Sequence, residues 1–337
     1  MATTVEAYAI NEAGLDFKKI SYELGELEFD DVDIEIKHCG ICHSDLSMAK
    51  NEWGMTQFPY VPGHEAVGIV KAVGSGVSHL KVGDKAGVGW HAGYCNTCSQ
   101  CTGGDHNLCT SAQGTMLGGK HGAFGTMLRA KGVSAIKIPD AMELADIGPL
   151  FCGGITVFNP LVQYAVSPLA KVGVIGIGGL GHIAVQFLNA WGCHVTAFTG
   201  KTEDIESLKA LGVHEVVNSR KPEELKAHVG EFDMIMSTVN VGLDWNSYIS
   251  CLKPKGRLHV LGAVPTPLDV QVFPMLLGQK SVSSSPVGSP ANIRKMLDFC
   301  LRHNIKPVTE HFPIENVREA MEHLEAGKAK FRIVLDF

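Results

Sequence analysis

The chain has 337 residues, 45% of them hydrophobic and 19% charged, with a formal net charge of -6. These are globular values for a chain long enough for two domains; they exclude disorder, a basic footprint for nucleic acid and attraction to an anionic membrane surface. No apolar run approaches the ~18–20 residues of a membrane span, and MATTVEAYAINEAG carries no basic region followed by an apolar core. A cytoplasmic location is therefore expected, where thiols stay reduced.

Up to about residue 147 strands and loops prevail. DIEIKHCG (33–40) alternates as a half-buried strand, AVGIVKAVG (66–74) reads as another, and VGDKAGVG (82–89) adds a strand and turn. Groups able to bind metal are scattered among them. HCGICHSDL (38–46) puts Cys42 at the end of a strand with Ser44 just after it, and PYVPGHEAVG (59–68) sets His64 and Glu65 in a Pro/Gly turn. Cys95, Cys98, Cys101 and Cys109 then follow the pattern C-x2-C-x2-C-x7-C. Four thiolates so spaced can close a tetrahedron around Zn²⁺, although four-cysteine sites also hold iron–sulfur clusters. A full thiolate shell leaves no position open for a substrate, so zinc bound there would be structural.

The pattern changes near Pro149. PLFCGGIT (149–156) carries Cys152 at the boundary, and KVGVIGIGGLGHIAVQFLNAWGCHVTAF (171–198) reads strand, glycine turn, helix, strand. Ile183, Ala184, Phe187, Leu188 and Trp191 recur at the spacing of one helix face. Gly176, Gly178 and Gly181 form G-x-G-x-x-G between strand and helix, with Ile177, Gly179 and Leu180 completing the turn. That context suits a dinucleotide: the glycines allow a tight turn, close approach to a pyrophosphate and helix–strand packing, and the helix N-terminus offers free N–H groups. An Asp or Glu at the end of the second strand would select NAD(H) by bonding the ribose 2′-OH. Thr199, Gly200 and Lys201 stand there instead, so NADP(H) is expected in preference to NAD(H), with Glu203 and Asp204 close behind.

Further strands are expected at 214–219, 232–239, 257–263 and 281–285; alternation with helices implies a right-handed parallel sheet. SSSPVGSP (283–290) reads as an interdomain connection. A helix over 291–305 with Ile293, Met296, Leu297, Cys300 and Leu301 on one face, then the strand FRIVLDF, return the chain to its first domain.

These motifs, in order, resemble the zinc-containing medium-chain alcohol dehydrogenases over nearly the whole chain. GICHSD and GIGGLGH are most similar to the cinnamyl alcohol dehydrogenase and broad aldehyde reductase branch. The resemblance implies an α/β protein with a GroES-like, mostly-β catalytic domain (1–148 and 286–337) and a Rossmann domain with a doubly wound parallel sheet (149–285). It implies hydride transfer between NADP(H) and primary alcohols and aldehydes, aromatic or medium-chain, by a homodimer with two Zn²⁺ per chain. Cys42, His64 and Cys152 match the catalytic zinc ligands, Glu65 the carboxylate beside the metal, and Ser44 the inner proton relay. Cys95, Cys98, Cys101 and Cys109 match the structural zinc lobe. Thr156, Gly176–Gly181, Thr238, Gly262, Ser285 and Val287 match cofactor contacts, and Trp53 and Trp90 match the wall of the substrate pocket. Two departures stand out: Ser47 replaces a histidine common in the branch, and the lysine that often assists the 2′-phosphate is missing. Cys39, Cys193, Cys251 and Cys300 match no ligand and read as packing residues.

Overall fold

The computed structural model describes residues 3–200 and 205–337, and the chain forms two compact units. The first comprises Met1–Ile155 and Val287–Phe337, the second Thr156–Pro286. The crossover therefore lies a few residues beyond the boundary at 149 expected from sequence. Residues 149–155 stay with the first unit because Phe151 packs there: a Cβ on Gly87 would lie 2.2 Å from its ring.

In the first unit the strand Asp31–Ile41 is the spine. It pairs antiparallel with Ala66–Val73, with Met127–Lys131 and with the closing strand Arg332–Asp336. Among the described residues this sheet runs in the order Thr309–Pro313, Arg332–Asp336, Asp31–Ile41, Ala66–Val73, Lys85–Val88, Ile136–Lys137. Its core gathers Ile34, Ile36, Ile41, Val70, Phe124 and Leu335, all essentially inaccessible. The closing strand matters for the site, since the register Val334↔Gly40 carries Arg332 into the interior beside Glu65. Two of this unit's helices bear on the site and on the return of the chain. His43–Ala49 follows the spine directly, in a region that reads as strand and loop from sequence. Pro290–His303 is capped by Ser289 and buries Ile293, Met296, Leu297, Phe299 and Cys300. Leu301, expected on the buried face, is 44% exposed in the last turn of the helix, and Phe299 is buried instead.

The second unit is built on a parallel sheet ordered Glu215–Asn218, His194–Thr199, Lys171–Ile175, Phe232–Ser237, Leu252–Val260, Ser281–Ser284 among the described residues. The order reverses between His194–Thr199 and Phe232–Ser237, on either side of the first strand. That switch point, at the C-terminal strand ends, is where α/β sheets of this type bind their ligands. Ile183, Ala184, Phe187 and Leu188 are buried, whereas Trp191 is half-buried and donates its indole N–H to the Val166 carbonyl at 2.9 Å. Among the described residues no helix is long and apolar enough to cross a membrane.

Candidate active site

Cys42 ends the spine and caps the helix His43–Ala49 in an extended conformation, φ -104° and ψ 156°. The corner is held by Asp45, three residues on, whose carboxylate accepts the Cys42 N–H at 2.8 Å. Its other oxygen accepts the Gly63 N–H at 2.8 Å and lies 3.1 Å from His64 Nδ1. One fully buried carboxylate thus ties the strand end to the loop that carries His64. An ionised carboxylate only accepts, so it fixes the proton of His64 on Nδ1 and turns the Nε2 lone pair outward to the thiols.

There Nε2 lies 3.2 Å from Cys152 Sγ, and Cys152 Sγ lies 3.9 Å from Cys42 Sγ. Tetrahedral zinc with usual bond lengths places two sulfurs ~3.8 Å apart and sulfur and nitrogen ~3.5 Å apart. The three donors fit that ion, and all are buried. Of the two facing thiols, Cys42 is held well below the ordinary range by its bond to Cys152, against the cost of burial. The same contact pushes Cys152 up. A cation between them favours both as thiolates, the form that ligates metal.

Glu65 completes this donor group. Both its oxygens accept from Arg332 Nη2, at 2.5 and 2.6 Å, and both residues are buried. Burial pushes the Glu65 carboxyl up and the Arg332 guanidinium opposes that shift. The carboxylate is therefore committed to Arg332 yet stays within coordinating reach of the thiols. Ser44, half-buried, lies with its hydroxyl 3.7 Å from Cys42 Sγ. Ser47 donates to Glu52 at 2.7 Å, so a neutral hydroxyl fills the position where a histidine is common. Trp90 meets His64 edge-on with ring centroids 4.9 Å apart, and Trp53 meets Trp90 at 6.4 Å. The two indoles form an apolar wall beside the donors; Trp53 is its exposed end.

The four-cysteine lobe is a second donor group. Cys98 caps the short helix Ser99–Thr102 through the Cys101 N–H at 3.5 Å, and its own N–H points to Cys95 Sγ at 3.4 Å. Cys95 Sγ lies 3.5 Å from Cys109 Sγ and 3.9 Å from Cys101 Sγ. Backbone N–H groups of Thr97 and Cys98 pull the Cys95 thiol down to about 5. These separations also suit one tetrahedral ion. All ten cysteines are unbridged; Cys39, Cys193, Cys251 and Cys300 are buried and belong to neither group. Two further clusters were not apparent from sequence. Glu28, Asp30 and Asp31 receive their cation from Lys131, at 2.7, 2.8 and 2.9 Å, and His38 and His311 both bond Asp336.

In the second unit the glycine turn has the expected economy. Gly176 sits at φ +82°, where a Cβ would lie 2.4 Å from Val239, and a Cβ on Gly181 would lie 2.0 Å from the Gly176 carbonyl. A Cβ on Gly178 would meet nothing within 4 Å, which leaves that face open to a ligand. Ile177, Gly179 and Leu180 complete the loop, and the helix Gly181–Trp191 starts from it with its N–H groups toward the turn. Thr238 donates to the carbonyls of Ile175 and Gly176 at 3.0 and 2.8 Å, so its hydroxyl braces the turn. Gly262 is equally confined, since a Cβ there would lie 1.9 Å from the Val239 carbonyl oxygen. Ser285 is engaged by His259 Nε2 at 3.1 Å, and burial holds that histidine down to about 4, hence neutral. Thr156 is buried at the start of this unit. Val287, at φ +23°, shares the lining of a small cavity in the first unit with Trp90. Thr199 and Gly200 end the second strand, whereas Lys201, Glu203 and Asp204 fall outside the described residues.

Asp45 and Arg332 are the site residues that sequence reading passed over. Asp45 had a usable signal as the third residue after the Cys42 cap, the position of a capping-box acid. Arg332, a lone cation in the apolar strand FRIVLDF, signals a buried carboxylate partner.

Known families match both units. Residues 28–140 match the alcohol dehydrogenase GroES-like domain and residues 179–302 the zinc-binding dehydrogenase family. An aldehyde reductase of Synechocystis is 55% identical over 331 residues, covering 98% of each chain. A cinnamyl alcohol dehydrogenase of Sorghum bicolor superimposes with a TM-score of 0.95 at 35% identity, over 99% of this chain and 98% of that one. A Helicobacter pylori cinnamyl alcohol dehydrogenase, solved in complex with NADP(H), does so at 0.92 and 31% identity, over 100% and 99%.

Proposed function

This chain belongs to the zinc-containing medium-chain alcohol dehydrogenases, in the cinnamyl alcohol dehydrogenase and aldehyde reductase branch, and on that premise we propose that it interconverts primary alcohols and aldehydes with NADP(H). The observation that carries the reading is the meeting of Cys42, His64 and Cys152, which are far apart in sequence but have donor atoms 3.2 and 3.9 Å apart. When bound, zinc supplies Lewis acidity toward the substrate oxygen and the nicotinamide supplies or accepts the hydride.

The chain's own residues do the rest. Cys42, His64 and Cys152 hold one zinc with a position left for substrate; Glu65 stays beside it, restrained by Arg332. The Ser44 hydroxyl, beside Cys42, relays the alcohol proton on oxidation, accepting it while giving up its own, and runs the relay in reverse on reduction. Ser47 cannot continue a relay as a base, so solvent receives the proton directly. Trp90 and Trp53 offer their faces to an apolar or aromatic substrate tail. The four-cysteine lobe holds a second, structural zinc, giving two per chain. NADP(H) in preference to NAD(H) is supported by the absence of an acid at Thr199 and Gly200, and the Helicobacter pylori relative was solved with that cofactor.

We further propose a homodimer working in the cytoplasm. Ser281–Ser284 is an edge strand, and the neighbouring helix Val272–Gly278 leaves Val272, Phe273, Leu276 and Leu277 67–72% exposed. An open edge beside apolar side chains suits a second copy of the same surface. The test is a panel of aliphatic and aromatic aldehydes with NADPH and with NADH. Oxidation of NADPH by primary aldehydes, faster than that of NADH, is expected; no turnover with any of them would overturn the proposal.

A further inference from the structure

The strand His194–Thr199 runs parallel to Glu215–Asn218 with Thr199 opposite Asn218, and the Ser219 N–H donates to the Thr199 carbonyl at 3.1 Å. Gly200 and Arg220 therefore leave the sheet side by side, at its C-terminal edge. The contact between them is close. A Cβ on Gly200 would lie 2.4 Å from Arg220 Nε, 3.0 Å from its Cδ and 3.1 Å from its Cγ. The arginine stem and guanidinium thus lie along the Gly200 Cα, in the space that a side chain at position 200 would fill.

The base of Arg220 is fixed, since its N–H donates to Asn218 Oδ1 at 3.0 Å. Its side chain is exposed, and among the described residues no carboxylate pairs with it. Glu224, one helical turn away, is taken by Lys221 at 3.1 Å and by the Asn218 N–H at 2.8 Å.

In sheets of this kind the end of the second strand faces the adenosine ribose, and an acid there bonds the 2′-OH. Here the acid is replaced by a glycine, and the cleared space is filled by a guanidinium from the neighbouring strand. A planar guanidinium fork matches a phosphate with charge-assisted, bidentate bonds, whereas a bare hydroxyl pair offers it only weaker neutral acceptors. We propose that Arg220 is the residue by which this chain selects a 2′-phosphorylated dinucleotide, and that Gly200 serves to make room for it. The inference rests on the reading of the chain as an NADP(H)-dependent reductase and names the group that sets that preference.

The pairing also defines what an acid would do at position 200. In Gly200→Asp the new Cβ would push Arg220 aside and the new carboxylate would pair with it, so one change removes the phosphate site and restores an NAD-type acid.

Equilibrium titrations with NADPH, NADH and 2′,5′-ADP test the assignment without turnover. Arg220→Ala is expected to weaken NADPH and 2′,5′-ADP by about 10- to 100-fold while NADH stays within about twofold of wild type. Arg220→Lys is expected to fall between, keeping the charge and losing the fork. Unchanged NADPH affinity in Arg220→Ala, or equal losses for NADPH and NADH, would overturn the proposal. A wild-type chain that binds neither dinucleotide would instead overturn the functional reading on which it rests.

Discussion

Asp45 shows how much one buried carboxylate organises. It caps the helix after Cys42, anchors the Gly63 N–H and sets the tautomer of His64. Such carboxylate–histidine partners tune metal affinity by about 10- to 100-fold. Asp45→Asn, which keeps the shape but loses the charge, is expected to lower zinc affinity at the Cys42, His64 and Cys152 site by that factor. Competition with a chelator measures it; unchanged retention of zinc would show that Asp45 serves only the fold. At this scale the sequence was half legible. Cys42, His64 and Cys152 are each unremarkable, and only the motif order and its resemblance joined them. Arg332 and Arg220 act through strand register, pairing across intervals of 267 residues (Arg332 with Glu65) and 20 residues (Arg220 with Gly200), which no local pattern encodes.

Among the elements, long periodic segments were legible and short ones were not. The glycine turn declared itself because strand, turn and helix all agreed. The helix His43–Ala49 did not, since seven residues hold no complete apolar stripe and its start depends on Asp45. The edge strand Thr309–Pro313 was missed for a related reason: it is polar and half-exposed. It carries His311, whose ring bonds Asp336 at 2.9 Å and lies 3.3 Å from Asp146. Burial alone would lower the His311 pKa, but those two carboxylates outweigh it and raise it. A raised folded value means that its stabilisation is full below about pH 6.5, the unfolded value, and is lost as pH rises through the folded value. Exposure keeps the effect small. His311→Gln is expected to lower the melting temperature more at pH 6 than at pH 9; equal losses at both would remove the ion pairs from the account.

For the molecule as a whole, the shift from strand-and-loop to strand-and-helix patterning near Pro149 revealed an inserted parallel sheet. The crossover itself fell slightly later, because Phe151 packs against Gly87 and Cys152 meets Cys42 and His64 in the first unit. The proposed assembly rests on the exposed apolar face of the helix Val272–Gly278 in the second unit. Replacing Phe273 and Leu277 together by Asp is expected to convert a dimer into monomers by light scattering, and a monomeric wild type would contradict that assembly. The loudest metal signal in the sequence, the run of four cysteines, is proposed as a closed structural shell, whereas the chemistry is assigned to three separated residues of the same unit. Zinc content of Cys152→Ser beside the wild type, read together with aldehyde reduction, tests that division most directly. The account predicts two zinc per wild-type chain, and in the variant one zinc, no turnover and unchanged NADPH affinity; a variant that keeps both zinc and turnover would contradict it.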